Sequence, residues 1–163
     1  MNIRACQWST AVLAVSALFG VGTATAADYT TIILEKNVDR PIDAVWTKVG
    51  EFCAIKDWMK ITCEYTSGFG NLGTVRHLAG RVDEVMVAKT RHSYTYTVPT
   101  ATDLYHGTLE AVADGPRTTK LIYTVFYNQE PLGTAEAKTA DRERRTKTFT
   151  AALENMKALS ESN

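Results

Sequence analysis

The chain has 163 residues, with 18 Lys or Arg against 18 Asp or Glu, so its formal net charge at pH 7 is zero. Nucleic-acid-binding domains carry basic patches and a basic balance, so this composition argues against nucleic acid as a partner. Hydrophobic residues make up 45% of the sequence, which is enough for the core of one domain of ordinary size.

The first 26 residues have the pattern of a secretory signal peptide. Arg4 gives a basic start, residues 11–22 are apolar or small, and Ala24-Thr25-Ala26 matches the A-x-A cleavage signal. A membrane anchor is the alternative, but the apolar run is well short of the roughly 20 residues that a span needs. We therefore predict a signal peptide over residues 1–26, a mature domain over residues 27–163 without a membrane span, and a periplasmic or secreted location.

Two cysteines remain after the predicted cleavage, Cys53 and Cys63. Thiols in an oxidising compartment commonly pair, so we predict a disulfide between them, with a reactive thiol pair as the alternative. The three histidines show no ligand spacing, and two cysteines alone do not make a metal site. We expect no metal.

The mature chain begins with a strand and two short helices. Alternating apolar residues predict a strand over Thr30–Val38. A helix is expected to open at Pro41, with Asp39 as its N-cap, and to end at Gly50. A second short helix is predicted over Glu51–Trp58.

Strands then dominate until the last segment, which is a long helix. Short connections favour antiparallel hairpins. The predicted strands are Ile61–Thr66, Thr74–Ala79, Val82–Ala88, His92–Val98, Tyr105–Ala113 and Thr118–Tyr127. Helical spacing of Phe149, Leu153 and their neighbours predicts an amphipathic helix over Thr134–Leu159. Its apolar stripe extends backward to Arg145 and Arg142, which we expect in solvent rather than over a cavity. The order of elements predicts an α+β fold.

Residues 68–73, GFGNLG, match the G-x-G-x-x-G pattern letter for letter. A dinucleotide site requires a helix after this pattern, and the sequence that follows, TVRHL, has the alternation of a strand. The segment therefore predicts a glycine-rich hairpin loop. We expect no nucleotide cofactor.

Tyrosines cluster on the strand faces that we expect to point inward. His92, Tyr94 and Tyr96 share one face of their strand, and Tyr123 and Tyr127 share one face of the last strand. A buried hydroxyl without a partner is costly, so this cluster predicts a cavity that holds water or a ligand. The alternative is a set of ordinary core tyrosines whose hydroxyls reach the rim.

Glu84 shares a strand face with Val82 and Met86. A carboxylate among apolar neighbours is a candidate for a raised pKa and for acid–base catalysis, and a solvated strand residue is the alternative. His77 alternates with Arg76, so only one of the two can face inward, and the sequence leaves that choice open.

At this point the chain resembles a known superfamily. The matching stretches are DRPIDAVW at 39–46, the second helix with Phe52 and Trp58, GTVRHL at 73–78, YTY at 94–96 and ALENMKAL at 152–159. Their order is similar to that of START-like helix-grip proteins, which include pollen allergens, plant hormone receptors and bacterial polyketide cyclase-type proteins. The resemblance covers almost all of residues 29–160.

The resemblance implies a curved antiparallel seven-stranded sheet wrapped around the C-terminal helix, with two short helices after the first strand. It also implies a glutamate facing the cavity at the position of Glu84. Bacterial relatives often have His-Pro after the tryptophan of the second helix, whereas this chain has Trp58-Met59-Lys60, so we expect a different pocket mouth. Because the superfamily includes carriers, receptors, lyases and cyclases, the fold does not define the activity.

Three functions remain open. The first is an exported, cofactor-independent lyase, cyclase or dehydratase that acts on an aromatic or polyketide-like molecule by acid–base catalysis. The second is a non-catalytic carrier or receptor for a hydrophobic ligand, and the third is a surface interaction module. The sequence leaves the oligomeric state open. The candidate catalytic residues are Glu84, His92, Tyr94 and Tyr96. The candidate ligand contacts are Trp58, His77, Tyr105, Tyr123, Tyr127, Phe149 and Leu153.

Overall fold

The computed structural model describes residues 27–162. The predicted signal peptide lies outside the described residues, so its cleavage stays a prediction. Within residues 27–162, no helix is long and apolar enough to cross a membrane.

Seven antiparallel strands form one curved open sheet with a long helix against it, which confirms the predicted α+β helix-grip architecture. The strands are β1 (Tyr29–Val38), β2 (Cys63–Ser67), β3 (Val75–Leu78), β4 (Val82–Lys89), β5 (Ser93–Thr97), β6 (His106–Ala113) and β7 (Thr119–Asn128). The α-helices are α1 (Ile42–Val49), α2 (Ile55–Met59) and α3 (Ala135–Glu161), and short 3-10 helices span Phe52–Ala54 and Glu130–Leu132. The strand order is β1-β7-β6-β5-β4-β3-β2, so the first strand pairs with the last.

The long helix α3 begins at a side-chain cap. Thr134 is the N-cap, and its hydroxyl accepts a hydrogen bond from the backbone N–H of Ala137 at 3.2 Å. Neither proline nor glycine interrupts the 27 residues that follow. Phe149, Leu153 and Met156 are buried on the face that the helix turns toward the sheet, so the C-terminal half of α3 supplies most of its apolar contact.

Two details of the first helices differ from the sequence prediction. Pro41, not Asp39, is the N-cap of α1, and it has no side-chain cap because proline carries no polar side chain. Asp39 instead donates its backbone N–H to Glu161 at the end of α3, at 2.8 Å. The second helix is also split: a 3-10 turn precedes α2, and the chain leaves α2 through Lys60 in the left-handed region, with φ of 57°.

The glycine-rich segment 68–73 connects β2 to β3. Gly68, Gly70 and Gly73 have φ of 70°, 76° and 80°, a region that side chains with a Cβ rarely adopt. Because β3 follows directly, the segment is a hairpin loop, as the sequence predicted, and not the start of a nucleotide-binding helix.

The predicted disulfide between Cys53 and Cys63 is present, with 5.6 Å between the two Cα atoms. It joins the 3-10 turn before α2 to the first residue of β2. The bond therefore closes a loop that contains the whole of α2.

Candidate functional site

A cavity of about 350 Å³ lies between the sheet and α3, with α2 and the β5–β6 connection at its sides. This volume falls at the lower end of the range of about 300–1,000 Å³ that is common for small-molecule sites. The lining residues are Ile55, Met59, Ile61, Leu78, Val82, Glu84, Tyr96, Val98, Ala101, Asp103, Tyr105, Arg145 and Phe149. Most of the lining is apolar, and its polar groups are few.

A larger surface depression of about 480 Å³ lies beside Lys36, Lys120 and Lys157. Each of these lysines forms an ion pair with a glutamate at the surface. Charged and amide side chains line the depression, whereas most of the residues that line the cavity beside α3 are apolar, so that cavity is the stronger candidate for a ligand site.

Glu84 lies at the edge of the cavity, opposite Arg76 on the neighbouring strand. The hairpin β3–β4 pairs the two residues directly. Arg76 Nε donates to Glu84 Oε2 at 2.7 Å, and Arg76 Nη2 lies 2.6 Å from the same oxygen. Arg76 also donates through Nη1 to the Phe52 carbonyl, and its guanidinium carbon lies 3.9 Å from the centre of the Phe52 ring. Arg76 is thus held inside the protein by a counter-ion, a carbonyl and an aromatic face.

The two oxygens of Glu84 have different surroundings. The Arg76 side chain directs its contacts to Oε2, and among the described residues nothing donates to Oε1. Burial raises the pKa of Glu84, and the charge of Arg76 only partly opposes that shift. Glu84 Oε1 is therefore an acceptor available to a bound molecule.

Three tyrosine hydroxyls form a chain that runs from the cavity lining into the core. Tyr96 Oη lies 2.7 Å from Tyr123 Oη and 3.2 Å from Tyr105 Oη. Burial raises the pKa of Tyr105 to about 12 and raises the pKa values of Tyr96 and Tyr123 well above their usual range. At neutral pH all three are neutral phenols that can donate a hydrogen bond.

Gly107 on β6 makes room for the middle tyrosine of this chain. A Cβ at Gly107 would lie 2.3 Å from the nearest ring atom of Tyr96, which faces it across the β5–β6 pair. Any side chain at this position would displace the ring, so the hydroxyl chain depends on a glycine in the adjacent strand.

Arg145 of α3 forms the wall at the other end of the cavity, which corrects the expectation that it lies in solvent. Its Nε donates to Asp141 Oδ2 at 2.7 Å, and its Nη2 donates to Asp103 Oδ2 at 3.1 Å. Its guanidinium carbon lies 4.0 Å from the centre of the Tyr127 ring and 5.2 Å from that of Tyr105. Arg142 points elsewhere and donates to the hydroxyl of Thr30 at 2.6 Å.

Both candidate histidines lie away from the cavity, which corrects the sequence prediction. Because Arg76 faces inward, His77 faces outward, and its Nδ1 lies 2.7 Å from Asp83 Oδ1. His92 precedes β5, and its Nε2 lies 2.8 Å from Asp43 Oδ1 of α1. The expected cluster of Glu84, His92 and a tyrosine therefore does not form around one point. Among residues 27–162, no group of three or more His, Cys, Asp and Glu side chains could hold a metal.

Of the other candidate residues, Tyr96, Tyr105 and Phe149 line the cavity beside Glu84. The remaining candidates are buried in the core behind that lining and do not line it: Trp58, Tyr94, Tyr123, Tyr127 and Leu153. Tyr94 packs against Phe52 of the 3-10 turn, and Trp58 of α2 packs against Tyr123 of β7.

The sequence interpretation missed several apolar lining residues, including Ile55 and Met59 of α2 and Ala101 after β5. The spacing of Ile55 and Met59, four residues apart, is a signal that could have found the α2 wall. The alternation of Tyr94, Tyr96 and Val98 indicated an inward Val98, which the structure places in the lining. No local pattern indicates Ala101, which reaches the cavity through the path of the β5–β6 connection.

The sequence model of the polyketide cyclase / dehydrase and lipid transport family matches residues 30–161. The chain belongs to this family. A comparison with curated proteins finds no match. The START-like resemblance drawn from the sequence is thereby confirmed, and membership implies that the protein binds a hydrophobic small molecule.

Solved structures share the fold of this polyketide cyclase-type chain. A protein from Nitrosospira multiformis is 19% identical, with a TM-score of 0.68 over 82% of this chain and 97% of its own. The di-domain aromatase/cyclase BexL of the BE-7585A biosynthetic pathway is 18% identical, with a TM-score of 0.61 over 83% of this chain and 51% of its own. A point mutant of norcoclaurine synthase from Thalictrum flavum is 17% identical, with a TM-score of 0.59 over 84% of this chain and 97% of its own. At these identities the similarity concerns the fold alone.

Proposed function

We propose that the protein binds an aromatic or polyketide-like molecule in the cavity beside α3 and converts it by acid–base catalysis without a cofactor, as a lyase, cyclase or dehydratase. The observation that carries this proposal is a mostly apolar cavity with a buried carboxylate, Glu84, and two phenols, Tyr96 and Tyr105, in its lining. Two proteins with the same fold, an aromatase/cyclase and a norcoclaurine synthase, have the names of enzymes, which supports a catalytic reading.

In the proposed reaction, Glu84 Oε1 takes a proton from the bound molecule. A ligand oxygen then gains negative charge, and this oxygen accepts a hydrogen bond from a neutral phenol of the lining. The proton then returns from Glu84 to the product, or to a departing hydroxyl, which leaves as water. Of the two Glu84 oxygens, Arg76 contacts only Oε2, so it orients the carboxylate while Oε1 remains available.

The same ion pair favours a second candidate, a non-catalytic carrier. The Arg76 guanidinium stabilises the ionised form of Glu84 and opposes the rise in its pKa, so Glu84 is a weaker base than an equally buried carboxylate without a counter-ion. A carrier would use Glu84 only to accept a hydrogen bond from its ligand. The two candidates therefore differ in whether a proton leaves the bound molecule.

Replacing Glu84 by glutamine separates the two. Glu84→Gln keeps the shape and polarity of the side chain and loses the proton acceptor, so we expect turnover to fall roughly 10²-fold or more while ligand still binds. Glu110→Gln, an exposed position on β6, is the matched control and should leave turnover unchanged. Products from a panel of aromatic and polyketide-like substrates are followed by chromatography and mass spectrometry. Unchanged turnover in Glu84→Gln would rule out the assigned base, and ligand binding without product from any substrate would favour the carrier.

We also propose that the protein is exported to the periplasm or the cell exterior. The signal-peptide pattern of residues 1–26 and the disulfide between Cys53 and Cys63 support this location. The intact mass of protein recovered from its source should correspond to a chain that begins at residue 27 or 28, and retention of residues 1–26 would contradict export by this route.

A further inference from the structure

The three hydroxyls of Tyr96, Tyr105 and Tyr123 have one more proton than their mutual hydrogen bonds use. Each phenol carries one O–H donor, and two hydrogen bonds join the three, with Tyr96 in the middle. One O–H proton is therefore left over. Which tyrosine holds it decides what the cavity offers to a ligand.

The left-over proton does not belong to Tyr123. That residue is fully buried and does not line the cavity, and among the described residues its hydroxyl contacts only Tyr96. A buried donor without an acceptor is costly, so Tyr123 must donate to Tyr96, across the shorter of the two contacts. The choice then lies between Tyr96 and Tyr105.

The middle position of Tyr96 favours Tyr105. Chains of hydrogen bonds that run in one direction polarise one another, so Tyr96, which accepts from Tyr123, is best placed to donate to Tyr105. Tyr105 ends the chain, lines the cavity and is 9% exposed, whereas Tyr96 is 1% exposed. Its O–H can therefore turn toward a bound molecule.

We propose that Tyr105 is the one phenol that donates a hydrogen bond to the ligand, and that the site takes a neutral carbonyl compound on an aromatic or apolar scaffold. This rests on the proposed function only in that the cavity is the ligand site. A carbonyl oxygen accepts the Tyr105 proton. The cavity disfavours carboxylate ligands, because two carboxylates, Glu84 and Asp103, already line it. Arg145, the one cation among the described lining residues, already pairs with Asp103 and Asp141.

Tyr123 is a positioning residue in this arrangement. It touches no part of the cavity surface and acts through Tyr96, whose proton it directs toward Tyr105. Removing its hydroxyl leaves Tyr105 able to donate but less polarised, so the hydrogen bond to a carbonyl should weaken without being lost. If Tyr123 had only a structural role, Tyr123→Phe would weaken the binding of ketone and hydrocarbon ligands alike.

Two probes of similar shape test the proposal, 2-acetylnaphthalene and 2-isopropylnaphthalene. The wild-type protein should bind the ketone roughly threefold to tenfold more tightly than the hydrocarbon, as expected for one neutral hydrogen bond. Tyr105→Phe should remove this preference and move the infrared carbonyl stretch of the bound ketone to higher frequency. Tyr123→Phe should give an intermediate frequency. The control Tyr29→Phe, which removes a hydroxyl from the outer face of β1, should match the wild type.

The outcomes separate this inference from the proposed function. Binding of the hydrocarbon by Tyr105→Phe shows that the variant keeps its cavity. A ketone preference that survives in Tyr105→Phe but disappears in Tyr96→Phe assigns the donor to Tyr96 and overturns the proposal. Equal wild-type affinity for both probes overturns the carbonyl inference and leaves the cavity as a ligand site. If neither probe binds, the inference and the proposed function both fail.

Discussion

Arg76 and Glu84 place two opposite charges side by side in the interior, where the Arg76 side chain is fully buried. Removing charges from water is expensive, so such a pair is weak evidence for stability. Its clearer consequence is local: the contacts of Arg76 with Oε2, Phe52 and the Phe52 carbonyl fix the orientation of Glu84 at the cavity edge. We infer that the pair serves the site more than the stability of the fold.

Because three phenols are buried, we expect the free energy of unfolding to fall at alkaline pH. Because the pKa values of Tyr96, Tyr105 and Tyr123 are raised in the folded state, that state holds protons that the unfolded chain releases near about pH 10. The contribution of these phenols to the free energy of unfolding is thus fully present below about pH 10. It is lost as the pH rises toward their pKa values in the folded state, by roughly 1.4 kcal/mol per pH unit for each such phenol. Urea unfolding between about pH 8 and about pH 11 measures this slope. Tyr96→Phe should make it shallower, and an identical slope in the variant would contradict the assignment.

The choice between Arg76 and His77 shows where residue-level prediction ended. Alternation within a strand states that one of two neighbours faces inward, but it does not give the phase of a strand as short as β3, which has four residues. The β3–β4 hairpin indicates the phase of β3. Arg76 and Glu84 are equally distant from Gly80 in the sequence and pair across the hairpin, so they share one face of the sheet, and an inward Glu84 requires an inward Arg76. His92 was misplaced for a related reason, since β5 begins one residue later and its face no longer constrains that side chain.

At the scale of elements, α2 is a wall of the cavity that few local interactions hold in place. It has five residues, and its side chains Ile55 and Met59 line the cavity. An isolated helix of this length is not stable in water. Tertiary contacts therefore hold α2: the disulfide between Cys53 and Cys63 on either side of it, the fully buried ring of Trp58, and the hydrogen bond that Asn155 Nδ2 donates to the Trp58 carbonyl at 2.9 Å.

Loss of the disulfide should lower the stability of the domain. We expect the double variant Cys53→Ala, Cys63→Ala to lose about 2–3 kcal/mol of unfolding free energy, because the short loop that the bond closes becomes unrestrained in the unfolded chain. Urea denaturation measures the change. Dithiothreitol is the matched control: it should lower the stability of the wild type to that of the variant and leave the variant unchanged. Equal stability of variant and oxidised wild type would contradict this role.

Elements with a clear period were predictable, and short ones were not. The alternation in β1 and β7 and the helical spacing in α3 continue over ten residues or more, so their positions followed from the sequence. The segment 51–59 is too short for a period to distinguish a single helix from the 3-10 turn and α2 that form. The start of β2 was placed at Ile61 instead of Cys63, because the apolar Ile61 serves the cavity and not the sheet.

At the scale of the whole molecule, the cavity lies where α2, α3, the sheet and the β5–β6 connection meet. The C-terminal half of α3 packs closely through Phe149, Leu153 and Met156, while Arg145, one turn before Phe149, forms the cavity wall. Local sequence patterns do not show where elements so far apart in the chain meet, so the existence of a cavity was predictable only through the cluster of tyrosines and the family resemblance. Its apolar lining and its place beside Glu84 make it the expected ligand site.

Methyl-resolved NMR during titration with 2-isopropylnaphthalene shows whether an apolar ligand binds in this cavity. We expect saturable shifts of the methyl signals that line the cavity, those of Ile55, Ile61, Leu78 and Val98. The core methyls of Val45 and Val49, which are fully buried on the inner face of α1, should stay unchanged. The absence of any shift at the lining methyls, or saturable shifts confined to the exposed side chains of Ile33 and Leu72, would contradict binding in this cavity.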